Sequence, residues 1–205
     1  MDELELLKKD WKKQEKNLPH IEANEIYPIL LKKSSSIVKW IFFISLGELA
    51  LGAFLNVFLA DHEFWKQVEN IHLKNTVIVM YIFGYAITIL FVLLFYKRYK
   101  AISTTDSAYQ LMKNILKTRK IVKYYIFYVL ASSGIVAFVT FIFTLLYSSD
   151  FENVRDEINW PKAIGFGLLL IIVFIVILWL IYSLVYGILL KKLYRNYKEL
   201  KRLEL

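Results

Sequence analysis

The stretch "AIGFGLLLIIVFIVILWLIYSLVYGILL", residues 163–190, contains no charged side chain and decides the fold of this chain. About 20 apolar residues in a helix cross the hydrocarbon core of a bilayer, which is roughly 30 Å thick. Three further apolar runs cover residues 40–60, 76–96 and 125–147. We therefore predict an all-α, polytopic membrane protein with four transmembrane helices.

The composition supports this fold class. Of the 205 residues, 58% are hydrophobic and 17% are aromatic, a higher apolar share than in ordinary soluble domains. The first apolar run begins at residue 40 rather than near Met1, so we expect this span to be the insertion signal itself, not a cleaved signal peptide. The chain has no cysteine, which excludes disulfides, thiolate metal sites and cysteine nucleophiles.

The basic residues are unevenly distributed around the four runs. Of the 26 Lys and Arg residues, eight precede the first run, eight lie between the second and third, and six follow the fourth. Cytoplasmic loops of membrane proteins carry this excess, so both termini are predicted to be cytoplasmic. Each basic residue near an anionic leaflet gains about 1 kcal/mol, so the net charge of +8 requires no nucleic-acid partner.

The predicted cytoplasmic parts have helical apolar periodicity. Residues 1–36 form an amphipathic segment with a stripe of Leu4, Leu7 and Trp11, followed by a short helix at residues 23–33. A basic helix around residues 111–123, opened by capping residues at 103–106, is expected to run unbroken into the third span. Residues 191–205 are expected to extend the fourth span as a helical tail. The domain from residue 37 to residue 190 holds the four spans.

These amphipathic pieces have two interpretations. They pack on one another or lie on the membrane surface, as basic amphipathic helices do. Alternatively, Leu4, Leu7 and Trp11 form a docking element for a cytoplasmic protein partner.

Glu48 is the one acidic residue within the four runs. An acid near the centre of a span costs about 2.5 to 3.5 kcal/mol, which the apolar residues of that span can offset. Glu48 lies about 12 Å beyond Trp40 along a helix. Counting an equal depth along the other spans predicts a layer of hydroxyl groups facing Glu48: Thr88, Ser132, Ser133, Tyr182 and Ser183. Three roles are open: an interhelical hydrogen bond, a proton or ion pathway, or a site for lipid or a small amphiphile.

The motifs of common enzyme classes are missing from the sequence. There is no glycine-rich phosphate loop, no Gly-x-Ser-x-Gly and no His-Glu-x-x-His. Of the three histidines, only His62 and His72 share a predicted side, where Asp61 and Glu63 also lie. We expect neither a metal nor another cofactor, and we favour a non-enzymatic function.

Four stretches resemble a family of uncharacterised bacterial four-span inner-membrane proteins. They are "DELELLKKDWKKQ" at 2–14, "LKKSSSIVKWI" at 31–41, "ISTTDSAYQLMKNILKTRKIVKYYI" at 102–126 and "LLKKLYRNYKELKRLEL" at 189–205. The resemblance implies a location in the bacterial inner membrane. Some relatives carry the label beta-carotene monooxygenase, although three histidines cannot supply a four-histidine iron centre. Other relatives are encoded beside extracytoplasmic-function sigma factors, which implies an anti-sigma-like regulatory role.

Three functional hypotheses follow in order. The first is a membrane protein that anchors or regulates a cytoplasmic partner through Leu4, Leu7 and Trp11 together with the basic helix around residues 111–123. The second is a small transporter, or a protein that binds lipid or another amphiphile, centred on Glu48. The third is a membrane oxygenase, as the family label implies.

Overall fold

The computed structural model describes residues 4–5, 7–9, 23–105, 107–148, 151 and 158–203. Within these residues no strand is present, and the all-α fold is confirmed. From residue 23 onward, the described residues form five helices: α1 (Ala23–Leu59), α2 (His62–Asn70), α3 (Lys74–Ser103), α4 (Ala108–Tyr147) and α5 (Trp160–Leu203). All of them except the short α2 are long and apolar enough to cross a membrane.

The four long helices form a closed ring. In order around the ring, α1 packs on α3, α3 on α4, α4 on α5, and α5 on α1. Helices α1 and α4 therefore lie diagonally across the bundle from each other. Large apolar side chains such as Phe83, Phe127 and Leu184 are exposed along the outer surfaces of the spans. Such a surface is suited to lipid rather than to water, as expected of a membrane protein with four spanning helices.

The long helices extend well beyond the thickness of a membrane. Helix α4 has 40 residues and α5 has 44, so at 1.5 Å per residue they measure about 60 and 66 Å against a hydrocarbon core of about 30 Å. The surplus lies at the end of the bundle that carries Lys39, Lys97 and Lys191, which we call the basic end. The opposite end, where α2 lies, is called the α2 end.

At the basic end the helices pack on one another around their own core. Its buried side chains include Leu30 of α1, Ile102 of α3, Leu111 and Ile115 of α4, and Leu193 of α5. Of the interpretations left open above, packing of these pieces on one another describes the basic-end parts of α1, α4 and α5, while most of residues 1–22 lies outside the described residues. The predictions that the basic helix runs into the third span and that the tail extends the fourth are confirmed.

A buried polar pair links α1 and α5 within this end. The Asn196 side-chain amide donates a hydrogen bond of 3.0 Å to the Ser34 hydroxyl, and both residues are buried. Residues 23–33 do not form the separate helix that we predicted, because α1 continues through "SSS" at 34–36. Its first serine is buried and has Asn196 as a hydrogen-bond partner, so a polar residue is accommodated within the packed helix.

Helix α4 begins one residue later than the predicted capping stretch implied. The cap of α4 is Ser107, whose hydroxyl accepts a hydrogen bond from the backbone N–H of Gln110. The predicted capping stretch 103–106 instead ends α3 at Ser103, with Thr104 after it. Asp106 lies outside the described residues.

Helix α2 was not predicted. Asp61 caps it by accepting a hydrogen bond of 2.8 Å from the backbone N–H of Phe64. Val68 is its buried residue, and the Trp65 ring meets the Tyr81 ring of α3 edge to face at 6.3 Å. The helix therefore rests against the α2 end of the bundle, where an amphipathic helix with tryptophan is suited to a membrane interface.

Candidate functional site

A cleft of about 280 Å³ lies between the four long helices, within the membrane-spanning part. Helix α1 contributes Glu48, Gly52 and Asn56 to its wall, three residues on one face of the helix. Since Glu48 and Asn56 are eight residues apart, this wall is about 12 Å long. The cleft therefore extends from Glu48 toward the α2 end.

At the base of the cleft, Glu48 of α1 accepts a hydrogen bond from a tyrosine of α4, the helix diagonally opposite. The Tyr125 hydroxyl donates a hydrogen bond of 2.5 Å to Oε2 of Glu48. Tyr125 is itself held by other rings: Phe95 and Tyr186 both meet it edge to face, at 5.5 and 5.9 Å. Because this ring is buried and packed on several sides, it fixes the position of the carboxyl group.

Two tyrosines of α5 lie beside the same carboxyl group. The rings of Tyr182 and Tyr186 stack at 5.8 Å, and both interact electrostatically with Glu48. Tyr182 lines the cleft, while Tyr186 lies behind it with no exposed surface. The Tyr186 hydroxyl makes no hydrogen bond of normal geometry with any residue of the described chain.

The part of the cleft nearer the α2 end is lined by a second set of polar groups. The Asn56 amide donates hydrogen bonds to the Gly52 carbonyl oxygen at 2.9 Å and to the Tyr85 hydroxyl at 2.7 Å. On α3 the Thr88 hydroxyl donates to the Gly84 carbonyl oxygen at 2.8 Å. All of these hydrogen bonds join uncharged groups.

No basic side chain of the described residues faces Glu48 in the cleft. No residue that lines it is Lys, Arg or His, and the four apolar runs contain no basic residue at all. Glu48 is also the one acid within those runs. An ionised carboxyl group here would be compensated only by tyrosine hydroxyls or by something that enters the cleft.

The structure brings together some members of the predicted polar layer and separates others. Glu48, Thr88, Ser132 and Tyr182 line the same cleft. The other two predicted members, Ser133 and Ser183, do not line it: Ser133 lines a neighbouring groove and Ser183 is exposed. The physical reason is the helical repeat, because adjacent residues such as 132 and 133 point about 100° apart and cannot both face Glu48.

The prediction made by counting equal depths along the four spans missed the direct hydrogen-bond partner of Glu48, which is Tyr125. Side chains in a helix incline toward its N-terminus, and a long glutamate side chain therefore reaches toward the basic end from its own Cα. Tyr125, Tyr182 and Tyr186 lie there. The tyrosine pairs 125/128 and 182/186, at helical spacings of three and four, were a signal in the sequence that could have found them.

The predicted partner-binding residues have different environments. Leu4 and Leu7 are helical and 63% and 70% exposed. Trp11 lies outside the described residues. The apolar side of the basic helix is not free for a partner, as Leu111 and Ile115 are fully buried in the basic-end core. For that helix, the proposed docking surface is reduced to its exposed basic face.

His62 and His72 do not form a metal site with other side chains of the described residues. The His72 ring meets Tyr147 edge to face at 5.1 Å, and His62 begins α2. Across the described ranges, no three side chains of His, Asp or Glu converge in a way that could hold a metal ion. The oxygenase hypothesis therefore gains no support from these residues.

Comparison with known proteins gives a family but no function. No curated protein matches the chain. No solved structure matches it either. Residues 24–205 match the family described as Domain of unknown function (DUF8845), so the match covers all four spanning helices except Ala23, the first residue of α1. The chain belongs to the DUF8845 family.

Proposed function

We propose that this integral membrane protein binds a small amphiphile at the Glu48 cleft, with the polar head in the cleft and the apolar tail toward the lipid. One observation carries the proposal: the polar cleft shares part of its wall with an apolar groove. The shared residues are Met80, Gly84, Tyr128 and Ser132.

The groove is suited to hold the apolar tail of an amphiphile. It is formed by α3 and α4 with Phe174 of α5 and has a volume of about 540 Å³. Its lining is mainly apolar, with side chains such as Phe83 and Ile135 and the adjacent Val136. These three side chains are exposed on the lipid-facing surface. A molecule with a compact polar head and an apolar chain would therefore satisfy both spaces, as typical ligand sites combine apolar walls with few polar groups.

The junction between cleft and groove supplies a test. Gly84 lines both, and a Cβ added there meets no atom within 4 Å. A Gly84→Leu variant therefore places a side chain at the junction, and its Cβ has free space. Gly165 is exposed near the start of α5 with the same open surroundings, so Gly165→Leu is the matched control.

The experiment measures binding of fluorescent, single-chain amphiphiles to the purified protein in nanodiscs of one synthetic lipid. We expect saturable binding by at least one amphiphile, a loss of at least about tenfold in affinity in Gly84→Leu, and no change in Gly165→Leu. Equal binding by the parent protein and Gly84→Leu would overturn the proposal.

We further propose a bacterial inner-membrane location, with both termini in the cytoplasm. The concentration of Lys and Arg at the basic end supports this orientation. The exposed Trp40 of α1, beside Lys39, marks the predicted edge of the hydrocarbon at the same end.

A second candidate function is regulation or anchoring of a cytoplasmic partner, with the anti-sigma-like role that the family resemblance implies. The exposure of Leu4 and Leu7 on a helical segment favours it. Photo-crosslinking from these two positions in cells is expected to trap one defined protein. Crosslinks to lipid alone, or to α1, α4 and α5 of the same chain, would contradict this role.

A further inference from the structure

We infer that the head group bound in the Glu48 cleft is a cation, either an alkyl ammonium or a quaternary ammonium group. This inference rests on the proposed function, because it names the ligand class of the same cleft. It follows from the uncompensated acid, from the aromatic wall and from the way in which the carboxyl group is held.

The acid selects for positive charge. Glu48 lines the cleft, and no basic side chain lines it. The nearest basic side chains in the sequence lie beyond the ends of the spans, such as Lys39 on α1 and Lys123 on α4. A cation in the cleft would stabilise the ionised form of Glu48, whereas an anionic head would oppose that form in a low-dielectric space.

The wall selects for a cation over a neutral polar head. Five tyrosines line the cleft: Tyr81, Tyr85, Tyr125, Tyr128 and Tyr182. Aromatic rings attract cations through their quadrupole, and a cleft that combines several tyrosine rings with one carboxyl group is suited to quaternary ammonium groups.

The rings and the carboxyl group are fixed before any ligand arrives. Phe91 packs on Tyr125 at 5.3 Å and stacks on Tyr128 at 5.9 Å, so one side chain of α3 supports two rings of the wall. The hydrogen bond from Tyr125 fixes the orientation of the Glu48 carboxyl group. Preorganisation of this kind reduces the ordering cost of binding.

The test uses three probes with one tail: dodecyltrimethylammonium, dodecanol and dodecyl sulfate, each below its micellar concentration. Their binding to the protein in nanodiscs is measured by calorimetry, and partition into protein-free nanodiscs is subtracted. We expect dodecyltrimethylammonium to bind at least about tenfold more tightly than either other probe.

Variants separate the acid from the rings. Glu48→Gln keeps an acceptor for Tyr125 and should lower the affinity for the cation to that for dodecanol, whereas Glu48→Asp retains a carboxyl group and should lose less. Tyr128→Leu should weaken the binding of the cation several-fold through the lost ring. Glu199→Gln changes a carboxyl group of α5 at the basic end, outside the cleft, and should leave binding unchanged.

Each outcome decides between the two proposals. If dodecanol or dodecyl sulfate binds as tightly as the cation, and Gly84→Leu abolishes that binding, then the ligand class is wrong and the amphiphile site stands. If Gly84→Leu affects none of the three probes, both proposals fail. If Glu48→Gln retains full affinity for the cation, the inference is overturned even where the site is real.

Discussion

The Tyr125 hydroxyl of α4 lies 2.5 Å from Oε2 of Glu48 on α1, although the two residues are 77 positions apart in the sequence. The helices that carry them do not neighbour each other in the ring but face each other diagonally. This hydrogen bond therefore passes through the middle of the bundle. It forms the base of the cleft and also limits how far α1 and α4 can separate.

Removing the hydroxyl from Tyr125 should weaken the bundle slightly. Interhelical hydrogen bonds in membranes contribute about 0.6 kcal/mol on average and at most about 1.7. We expect Tyr125→Phe to lower the free energy of unfolding by about 1 kcal/mol, measured by titration with dodecyl sulfate in mixed micelles. The neighbouring Tyr124 is 55% exposed, so Tyr124→Phe should have no effect. An equal loss in both variants would show that the hydrogen bond has no such role.

The pair of Ser34 and Asn196 should stabilise the basic end more strongly. Ser34→Ala leaves the buried Asn196 amide without its acceptor, and an unsatisfied buried polar group costs about 1 to 3 kcal/mol. The control is Ser36→Ala, two residues along the same helix and exposed, which should change stability by less than about 0.5 kcal/mol. Both are measured by the same unfolding titration, and a neutral Ser34→Ala would argue that water replaces the hydroxyl.

The sequence "GFG" at 165–167 supplies a test of helix packing. A Cβ on Gly167 would overlap the ring of Phe141 on α4, whereas a Cβ on Gly165 meets no atom within 4 Å. We expect Gly167→Ala to destabilise the protein by about 1 to 3 kcal/mol through overpacking. Gly165→Ala should be neutral or slightly stabilising, since alanine favours helix over glycine. Equal melting temperatures for the two variants would contradict the close approach of α4 and α5 at this point.

The proposed orientation can be tested with single cysteines because the chain has none of its own. Lys66 on α2 and Lys198 on α5 are both exposed and lie at opposite ends of the bundle. In intact cells, a membrane-impermeant maleimide should label Lys66→Cys and not Lys198→Cys. After lysis both should react. The reverse pattern in intact cells would place the termini outside the cytoplasm.

Much of the architecture could be predicted because the bilayer imposes simple rules. Each apolar run had to be a helix, since an unpaired backbone is too costly in lipid. The same rules led to the expectation that the basic helix and the tail continue their spans. The continuity of α1 through Ser34 was not predicted, since Asn196, the partner that allows this serine to be buried, lies 162 positions away.

The candidate site was predicted in its position but not in its contacts. Placing Glu48 and Thr88 at one depth was possible from residue counts, and both line the cleft. Contact with Tyr125 depends on the inclination of side chains and on helix rotation, which counting ignores. The sequence also did not decide whether Leu111 and Ile115 are buried in the protein, because an amphipathic stripe fits a bundle core and a membrane surface equally well.

The central claim is that an amphiphile binds with its head in the Glu48 cleft and its tail in the adjoining groove. The most direct measurement is photolabelling in nanodiscs with an alkyl trimethylammonium compound that carries a diazirine in its tail, followed by peptide mapping. The account predicts labels on groove residues such as Phe83, Ile135 and Val136, and their loss in Gly84→Leu. Equal labelling of the exposed Phe127 and Leu184, unchanged by Gly84→Leu, would contradict it.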